Sequence, residues 1–241
     1  MSSHEDAFTF QHSKWDSDFF GVSCAKAILH KPLSANDFET LLELMKNYEF
    51  ISLTNQNSDP RNAQLIGHQT SAFLADVNIQ FIKKLAASAE MPDNISLYNS
   101  FDRNQQVIDL AEFQYSKFIE DPELAKRRGN EVYREWVMNS FNKPDKYFAI
   151  SRDDHDQING FALYSFSNTN CILELISVSQ NVKRSGIATR LFGAVEYDAI
   201  RHGINVIKVG TQIRNIEAIN FYHKVGCKQS GCHQIYHLWN Q

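Results

Sequence analysis

The densest chemical signal in the sequence is a polar loop that leads into an amphipathic helix. A predicted strand ends at Val178, seven mostly polar residues follow, and Gly186 begins the helix. The first N–H groups of a helix lack partners within it and, with the positive end of the helix dipole, suit an anion such as a pyrophosphate. Gly186 has no Cβ atom and lets the backbone approach the anion, while Lys183 and Arg184 add positive charge. The patterns GxxxxGK(S/T) and GxGxxG are absent, which excludes a P-loop and a dinucleotide-binding turn.

A second signal is a shorter helix further along the chain. Asn215 is its predicted N-cap and Gly226 its predicted left-handed stop. Its apolar stripe consists of Ala218, Phe221, Tyr222 and Val225. A tyrosine on such a stripe is ordinarily a core residue. Tyr222 becomes a candidate catalytic residue only because its helix follows the polar loop in this order.

The elements that must position these helices form a mixed α/β region. After residue 105 the hydrophobic periodicity predicts two helices, a hairpin, and then strand, helix, strand, helix and strand. The expected bounds are 105–118, 130–141, 147–151, 159–167, 170–178, 186–201, 205–211, 216–225 and 233–239. This order is typical of a mixed sheet with helices on its faces, and it lacks the alternation of a doubly wound sheet.

The first hundred residues predict a smaller α/β domain. Strands are expected at 8–10, 22–29, 50–53 and 72–82, with a helix after Ser34 and a short helix at 61–66 that Gly67 ends. Residues 85–104 are polar and are interpreted as a linker, which gives domains of 1–100 and 101–241. Segment 50–81 repeats the element order of 206–239, with Gly67 set on Gly226. A degenerate half-repeat and chance similarity both explain this.

Composition narrows the class of protein. The 241 residues include 24 Lys+Arg and 28 Asp+Glu without a basic cluster, so we expect neither nucleic acid nor membrane as a partner. No apolar run approaches the ~18 residues of a spanning helix, and the polar start predicts no signal peptide. The four cysteines form no CxxC pair and the histidines no HExxH motif. We therefore expect reduced thiols, no metal, a cytoplasmic location, and a monomer or a homodimer.

The loop and the second helix together resemble the GCN5-related N-acetyltransferase superfamily. The family's loop pattern is (Gln/Arg)-x-x-Gly-x-(Gly/Ala), and this chain has Lys-Arg-Ser-Gly-Ile-Ala at 183–188, which departs from it at the first position. The later pattern Asn-x-x-Ala-x-x-Phe-Tyr-x-x-x-Gly is matched at 215–226. The resemblance implies an α+β fold with a mixed, mostly antiparallel central sheet and flanking helices, preceded by the smaller N-terminal α/β domain.

A narrower resemblance covers most of the chain, although thinly in the first hundred residues. The matching residues are Trp15, Phe19, Phe20, Gly21, Ser116, Lys117, Phe118, Asp121, Pro122, Tyr133, Trp136, Asn139, Thr211, Gln212, Asn215, Tyr236 and Trp239. They are similar to those of TDP-fucosamine acetyltransferases, which acetylate the 4-amine of a nucleotide-linked aminodeoxy sugar.

The resemblance implies that acetyl-CoA is the acyl donor. CoA would lie where strands 170–178 and 205–211 diverge, with the main chain of Ile176 and Val178 pairing with the pantetheine. The Val178 N–H would polarise the thioester carbonyl, and Asn215 would contact the CoA arm. The pyrophosphate would be held by the backbone amides of Arg184, Ser185, Gly186, Ile187, Ala188 and Thr189, near Lys183.

The implied reaction is direct attack by a primary amine on the thioester. Tyr222 would be the general acid, because a tyrosine with an ordinary pKa of ~10 stays protonated at neutral pH. The amine would lose its proton to Glu174 or to a water relay, and the sequence leaves both open.

The acceptor is expected on two predicted helices. The candidate residues are Ser116, Lys117, Tyr133, Arg134, Trp136 and Asn139. Ser116 and Asn139 would bind sugar hydroxyls, and Tyr133 or Trp136 would stack on a ring face. Lys117 or Arg134 would meet a diphosphate, with Arg134 the better bidentate donor. A peptide or small-molecule amine as the acceptor, and a non-catalytic acyl-CoA-binding domain, stay as alternatives.

Overall fold

A computed structural model describes residues 7–167, 169–182 and 184–240, which form ten strands and nine α-helices. The strands are β1 (Phe8–His12), β2 (Cys24–Leu29), β3 (Phe50–Asn55), β4 (Phe73–Lys84), β5 (Ile95–Asn99), β6 (Tyr147–Arg152), β7 (Ile158–Phe166), β8 (Cys171–Val178), β9 (Val206–Gln212) and β10 (Lys228–Trp239). The helices are α1 (Lys14–Phe20), α2 (Ala35–Met45), α3 (Pro60–Gln69), α4 (Gln105–Asp109), α5 (Lys117–Glu120), α6 (Pro122–Lys126), α7 (Val132–Ser140), α8 (Ile187–Arg201) and α9 (Ile216–Lys224).

All ten strands join one mixed sheet in the order β1-β2-β3-β10-β4-β9-β8-β7-β6-β5. The pairs β2–β3 and β8–β9 are parallel, and the other pairings of the described strands are antiparallel. This confirms the predicted α+β architecture of a mixed, mostly antiparallel sheet with flanking helices. Among the described residues, none of the helices is long and apolar enough to cross a lipid bilayer.

The long strands β4 and β10 lie at the centre of the sheet, and each pairs with a strand from the other half of the chain. The first half of the chain runs β2-α2-β3-α3-β4, and the second half runs β8-α8-β9-α9-β10. In the sheet, β10 lies beside β3 and β4 lies beside β9, while β4 and β10 pair with each other. Each half therefore supplies the strand that borders the parallel pair of the other half.

The interpretation of residues 85–104 as a linker is wrong in part, because they contain β5. This strand pairs with β6 at the edge of the sheet, and Ile95 and Leu97 pack against the core under α8. Strand β5 has only five residues and lies among polar residues, so its alternation of apolar and polar side chains was too short to predict a strand. The sheet is continuous through residue 100, and the division into domains of 1–100 and 101–241 stays a prediction.

The continuous helix predicted for residues 105–118 is also wrong. Helix α4 ends at Asp109, and two new helix starts follow. The Ser116 Oγ accepts from the Phe118 N–H, and an Asp121 carboxylate oxygen accepts from the N–H groups of Glu123 and Leu124. Such side-chain caps favour a fresh helix start over continuation of the preceding one.

Gly67 does not end α3, contrary to expectation. The helix runs through it to Gln69, whereas Gly226 follows α9 with a left-handed φ of 85°. The alignment of Gly67 with Gly226 in the proposed repeat is therefore wrong. The order strand, helix, long strand is nevertheless shared by β3-α3-β4 and β9-α9-β10.

The helices of the second half pack on both faces of the sheet. Helices α8 and α9 bury Leu191, Phe192 and Tyr222 on one face. Helices α4 and α7 bury Val107 and Val137 on the other face, against β6, β7 and β8. A ligand that enters the sheet between β8 and β9 would therefore be bordered by helices on both sides.

Candidate active site

The parallel strands β8 and β9 diverge within the sheet. They pair only from Cys171 with Ile207 to Leu173 with Val209, although β8 runs on to Val178. On its other edge β8 pairs with β7, and Ser179 donates its N–H to the Asn159 carbonyl. Because bonding directions alternate along an antiparallel strand, the N–H groups of Ile176 and Val178 point into the gap. The gap thus offers main-chain donors to an extended ligand.

Helix α8 begins beside this gap with free backbone donors. Its N-cap is Gly186, at a φ of 83° and without a side-chain cap, and its first internal bond runs from the Arg190 N–H to the Gly186 carbonyl. The N–H groups of Ile187, Ala188 and Thr189 therefore lack helical partners. These unpaired donors at the dipole's positive end fit a pyrophosphate.

Two details of the loop differ from the sequence interpretation. The Ser185 N–H bonds to the Val182 carbonyl at 3.3 Å, so it is less available than the other amides. A Cβ on Gly186 would meet only the Arg190 guanidinium, at 3.6 Å, so the glycine is favoured by its positive φ and not by lack of space. Arg184 also has a positive φ, of 65°. Lys183 lies outside the described residues.

Tyr222 lies in the core that also contacts Ile176 and Val178 from the gap. It is 4% exposed, and its ring centroid is 5.4 Å from those of Phe81 and Phe221. Burial raises the pKa of its phenol well above the ordinary value. Its hydroxyl makes no hydrogen bond with a described residue, so it is available to a ligand.

Asn215 caps α9, as predicted. Its Oδ1 accepts from the Ala218 N–H at 3.0 Å. This bond fixes the start of the helix that carries Tyr222, and a contact of Asn215 with CoA stays a prediction.

Glu174 occupies a β-bulge at the point where the strands diverge. Leu173 pairs with Tyr164 and Leu175 with Leu163, which leaves Glu174 unpaired between them. Its carboxylate is bound by three donors, which are Lys146 Nζ at 2.5 Å, Ser165 Oγ at 2.6 Å and Trp136 Nε1 at 3.0 Å. These three donors occupy the carboxylate oxygens, so Glu174 is poorly placed to take a proton from an amine.

Aromatic residues of α7 face this bulge. Tyr133 and Trp136 stack with centroids 6.4 Å apart, and the Gln212 side chain donates to the Tyr133 hydroxyl at 3.2 Å. The buried Ser116 hydroxyl also bonds to Tyr133. Burial raises the pKa of Tyr133, so its phenol stays neutral. The structure thus brings the predicted residues Ser116, Tyr133 and Trp136 to one wall.

A cleft of about 270 Å³ opens beside this wall, between β4, α5 and the end of β9. Its lining includes Leu74, Asp76, Tyr115, Ser116, Lys117, Glu120, Gln212 and Arg214. Burial lowers the pKa of Lys117 to about 8. The cleft therefore contains one of the two basic residues that the sequence nominated for a diphosphate.

The other nominated residues lie elsewhere. Arg134 does not line the cleft, because its guanidinium pairs with Asp109 at 3.2 Å and with Glu112 at 3.4 Å. The arginine at the cleft is Arg214, which pairs with Glu120 at 2.8 Å. Asn139 is exposed on α7. The preference for Arg134 over Lys117 as the residue that meets the diphosphate is not supported by this arrangement.

A buried polar network ties the cleft helices to the last strand. Asp121 accepts from His237 Nδ1 at 2.7 Å and from Trp239 Nε1 at 3.0 Å, while its other oxygen caps α6. Burial opposes the charge of Asp121, but these bonds and the Leu124 N–H together lower its pKa. Burial lowers the pKa of His237, whose Nε2 has no hydrogen-bond partner among the described residues, and the Lys117 charge adds to this.

We expect the free energy of unfolding to fall on acidification through His237. A folded-state pKa below 6.5 means that the unfolded chain binds more protons as the pH drops below 6.5, so stability is lost in that direction. Asp121, with a folded pKa below 3.8, adds a further loss as the pH falls below that value. Urea titrations of wild type and His237→Gln between pH 7 and pH 5 check this.

The His237→Gln variant has a side chain of similar size that does not titrate, so its stability should depend less on pH. His68→Gln, on an exposed position of α3, is the matched control and should follow the wild type. Equal slopes for wild type and His237→Gln would show that the buried imidazole contributes nothing to the pH dependence.

Comparison with known proteins places this geometry in a family. The model of the acetyltransferase (GNAT) family matches residues 104–227, which include the gap, the loop before α8 and Tyr222. The chain belongs to the GNAT family of acetyltransferases, and it is therefore an acyltransferase enzyme.

The relatives agree with this assignment. The chain is 23% identical over 246 residues to the spore coat polysaccharide biosynthesis protein SpsD of Bacillus subtilis (strain 168), and the match covers 95% of this chain and 82% of SpsD. A GCN5-related N-acetyltransferase from Sphaerobacter thermophilus has a TM-score of 0.66 at 12% identity, covering 97% of this chain and 76% of its own. A tandem GNAT protein from the clavulanic acid biosynthesis pathway has a TM-score of 0.61 at 12% identity, with coverages of 89% and 75%. These two structures share the fold.

Proposed function

We propose that this enzyme transfers an acetyl group from acetyl-CoA to the primary amine of a nucleotide-linked aminodeoxy sugar, at its 4-amino position. The observation that carries the acyl-donor side is the β8–β9 gap with the start of α8 beside it. Main-chain donors at Ile176 and Val178 fit an extended amide-bearing arm, and those of Ile187 to Thr189 fit a pyrophosphate. A pantetheine joined to a diphosphate combines these two features.

The acceptor side is supported by the cleft and by one relative. The cleft contains a lysine with hydroxyl and amide groups and lies beside the stacked rings of Tyr133 and Trp136, and these features together suit a phosphate and a sugar ring. SpsD, at 23% identity over most of both chains, is named for polysaccharide biosynthesis. A cytoplasmic location, favoured by the free cysteines, is part of the same proposal.

The chemistry assigns separate tasks to the residues of this chain. As the amine attacks the thioester carbon, negative charge develops on the carbonyl oxygen, and the Val178 N–H stabilises it. As the C–S bond breaks, the Tyr222 hydroxyl donates a hydrogen bond to the departing sulfur and stabilises the thiolate, which takes up a proton from water. Water takes the amine proton, because Glu174 is already bound by three donors. Glu174 instead holds Trp136 and the bulge in place.

The direct test is release of the CoA thiol from acetyl-CoA in the presence of different amines. We expect turnover with TDP-linked 4-aminosugars and much less with the free sugars, polyamines or peptide α-amines. Preferential acetylation of peptides or polyamines would replace the proposed acceptor. Binding of acetyl-CoA without transfer to any amine would favour a non-catalytic role.

A further inference from the structure

The acceptor cleft receives a charged side chain from the first half of the chain. Strand β4 borders the cleft through Leu74 and Asp76, and α5 faces them through Lys117. The pairing of β4 with β10 shifts at this point, since Asp76 pairs with Ile235 but Leu74 pairs with Tyr236, which leaves Ala75 as a bulge. Bulges of this kind re-aim the neighbouring side chains.

Asp76 lies just past the end of the paired region between β4 and β9. Asn78 is the last residue of β4 in register with β9, opposite Gln212, and the Ile213 N–H bonds to the Val77 carbonyl at 2.8 Å. Asp76 therefore stands at the end of the cleft, beyond the residues that lead toward the gap. A group bound there would belong to a part of the acceptor distant from its amine.

Asp76 and Lys117 carry opposite charges, yet neither forms an ion pair with a described residue. The Asp76 carboxylate has a backbone contact with Val77 and no side-chain hydrogen bond with a described residue, while Lys117 also lies near the charges of Asp16 and Lys26. By contrast, Glu120 and Arg214 in the same cleft pair at 2.8 Å. Burial raises the pKa of Asp76 and lowers that of Lys117, so both charged forms are disfavoured in the protein alone. Two half-buried charges left unpaired in a cleft are typical of groups that a ligand completes.

We propose that Asp76 is a specificity-determining residue, whose carboxylate accepts hydrogen bonds from O–H or N–H donors of the acceptor while Lys117 binds an adjacent phosphate. This inference rests on the proposed function and deepens it. The donors come from the nucleotide or from the sugar ring of the acceptor. In either case the first half of the chain takes part in acceptor recognition.

The test is steady-state kinetics of Asp76→Asn, Asp76→Ala and Lys117→Met with a TDP-linked 4-aminosugar. A hydrogen bond to a charged group supports an expected rise in the acceptor KM of roughly 10-fold or more for each Asp76 variant. The acetyl-CoA KM should stay within about twofold of the wild type, since the donor amides lie in β8 and α8. The matched acid-to-amide control is Glu123→Gln, a half-buried residue of α6 that pairs with Lys126 and does not line the cleft, so its change should alter neither KM.

Inhibition by TDP alone distinguishes the two sources of the donors. Weaker inhibition of Asp76→Asn than of wild type assigns the contact to the nucleotide. Unchanged inhibition with a raised KM for the free 4-aminosugar assigns it to the sugar ring, and both results support the proposal.

An unchanged acceptor KM and unchanged TDP inhibition in folded Asp76→Asn and Asp76→Ala would overturn the inference while leaving the proposed function standing. Absence of transfer to any nucleotide sugar by the wild-type protein would instead overturn the proposed function, and the inference with it.

Discussion

Replacing Tyr222 with phenylalanine is expected to slow acetyl transfer by roughly 10²–10⁴-fold, the usual contribution of a positioned general acid. The change removes only a hydroxyl without a hydrogen-bond partner among the described residues, and the ring keeps its contacts with Phe81 and Phe221. The fold and the affinity for acetyl-CoA should therefore be preserved. Single-turnover measurements of thiol release, with binding measured separately by calorimetry, isolate the chemical step.

The raised pKa of Tyr222 refines this expectation. A thiolate of ordinary basicity, with a conjugate acid of pKa ~8.5, is a weak base toward such a phenol. Most of the stabilisation should therefore come from the hydrogen bond to the developing thiolate, and ionisation of Tyr222 should not limit the rate below pH ~10. Tyr236→Phe, which removes a hydroxyl from the core under α2, is the matched control and should turn over normally. Equal single-turnover rates for Tyr222→Phe and wild type would leave Tyr222 a packing residue.

Replacing Gly186 with glutamate is expected to weaken acetyl-CoA binding by roughly 10²-fold or more. A carboxylate at this helix start would face the bound pyrophosphate, and a like-charge contact in a binding site costs several kcal/mol. The residue would also be strained, because only glycine adopts a φ of 83° readily. Isothermal titration calorimetry with acetyl-CoA measures the change directly.

Gly203→Glu separates the effect of charge from that of strain. Gly203 follows the other end of α8 at a φ of 72°, and a Cβ added there would meet no heavy atom within 4 Å. The variant should lose a similar amount of stability, about 1 kcal/mol, but bind acetyl-CoA as the wild type does. Loss of binding in both variants would mean that strain in α8, and not charge at its start, controls the site.

The parts of the site that could be predicted are those encoded locally. The amphipathic stripe predicted α8 within a residue of its start, and the order of loop, Asn215 and Tyr222 carried the family resemblance. These features depend on neighbours within one or two helical turns, so a single sequence contains them.

The parts that could not be predicted depend on contacts between distant segments. Lys146 reaches Glu174 from the residue before β6, and Asp76 lines the same cleft as Lys117 from the other half of the chain. No local pattern marks either pair. Arg134 is the opposite case, in which the local pattern predicted a role that the distant contacts do not support. Its place on a predicted helix favoured ligand binding, but its guanidinium pairs with Asp109 and Glu112.

The reciprocal placement of β4 and β10 makes the two halves of the chain interdependent in folding. The segment matched by the family model, residues 104–227, contains β9 but lacks β4, which pairs with it, and β10, which lies beyond β4. Expressed alone, it would leave an edge of β9 with unpaired N–H and C=O groups beside an apolar core, a template for aggregation. We therefore expect the catalytic half to depend on its companion for folding, so that any rearrangement of the gene that parts them would have to provide a substitute strand.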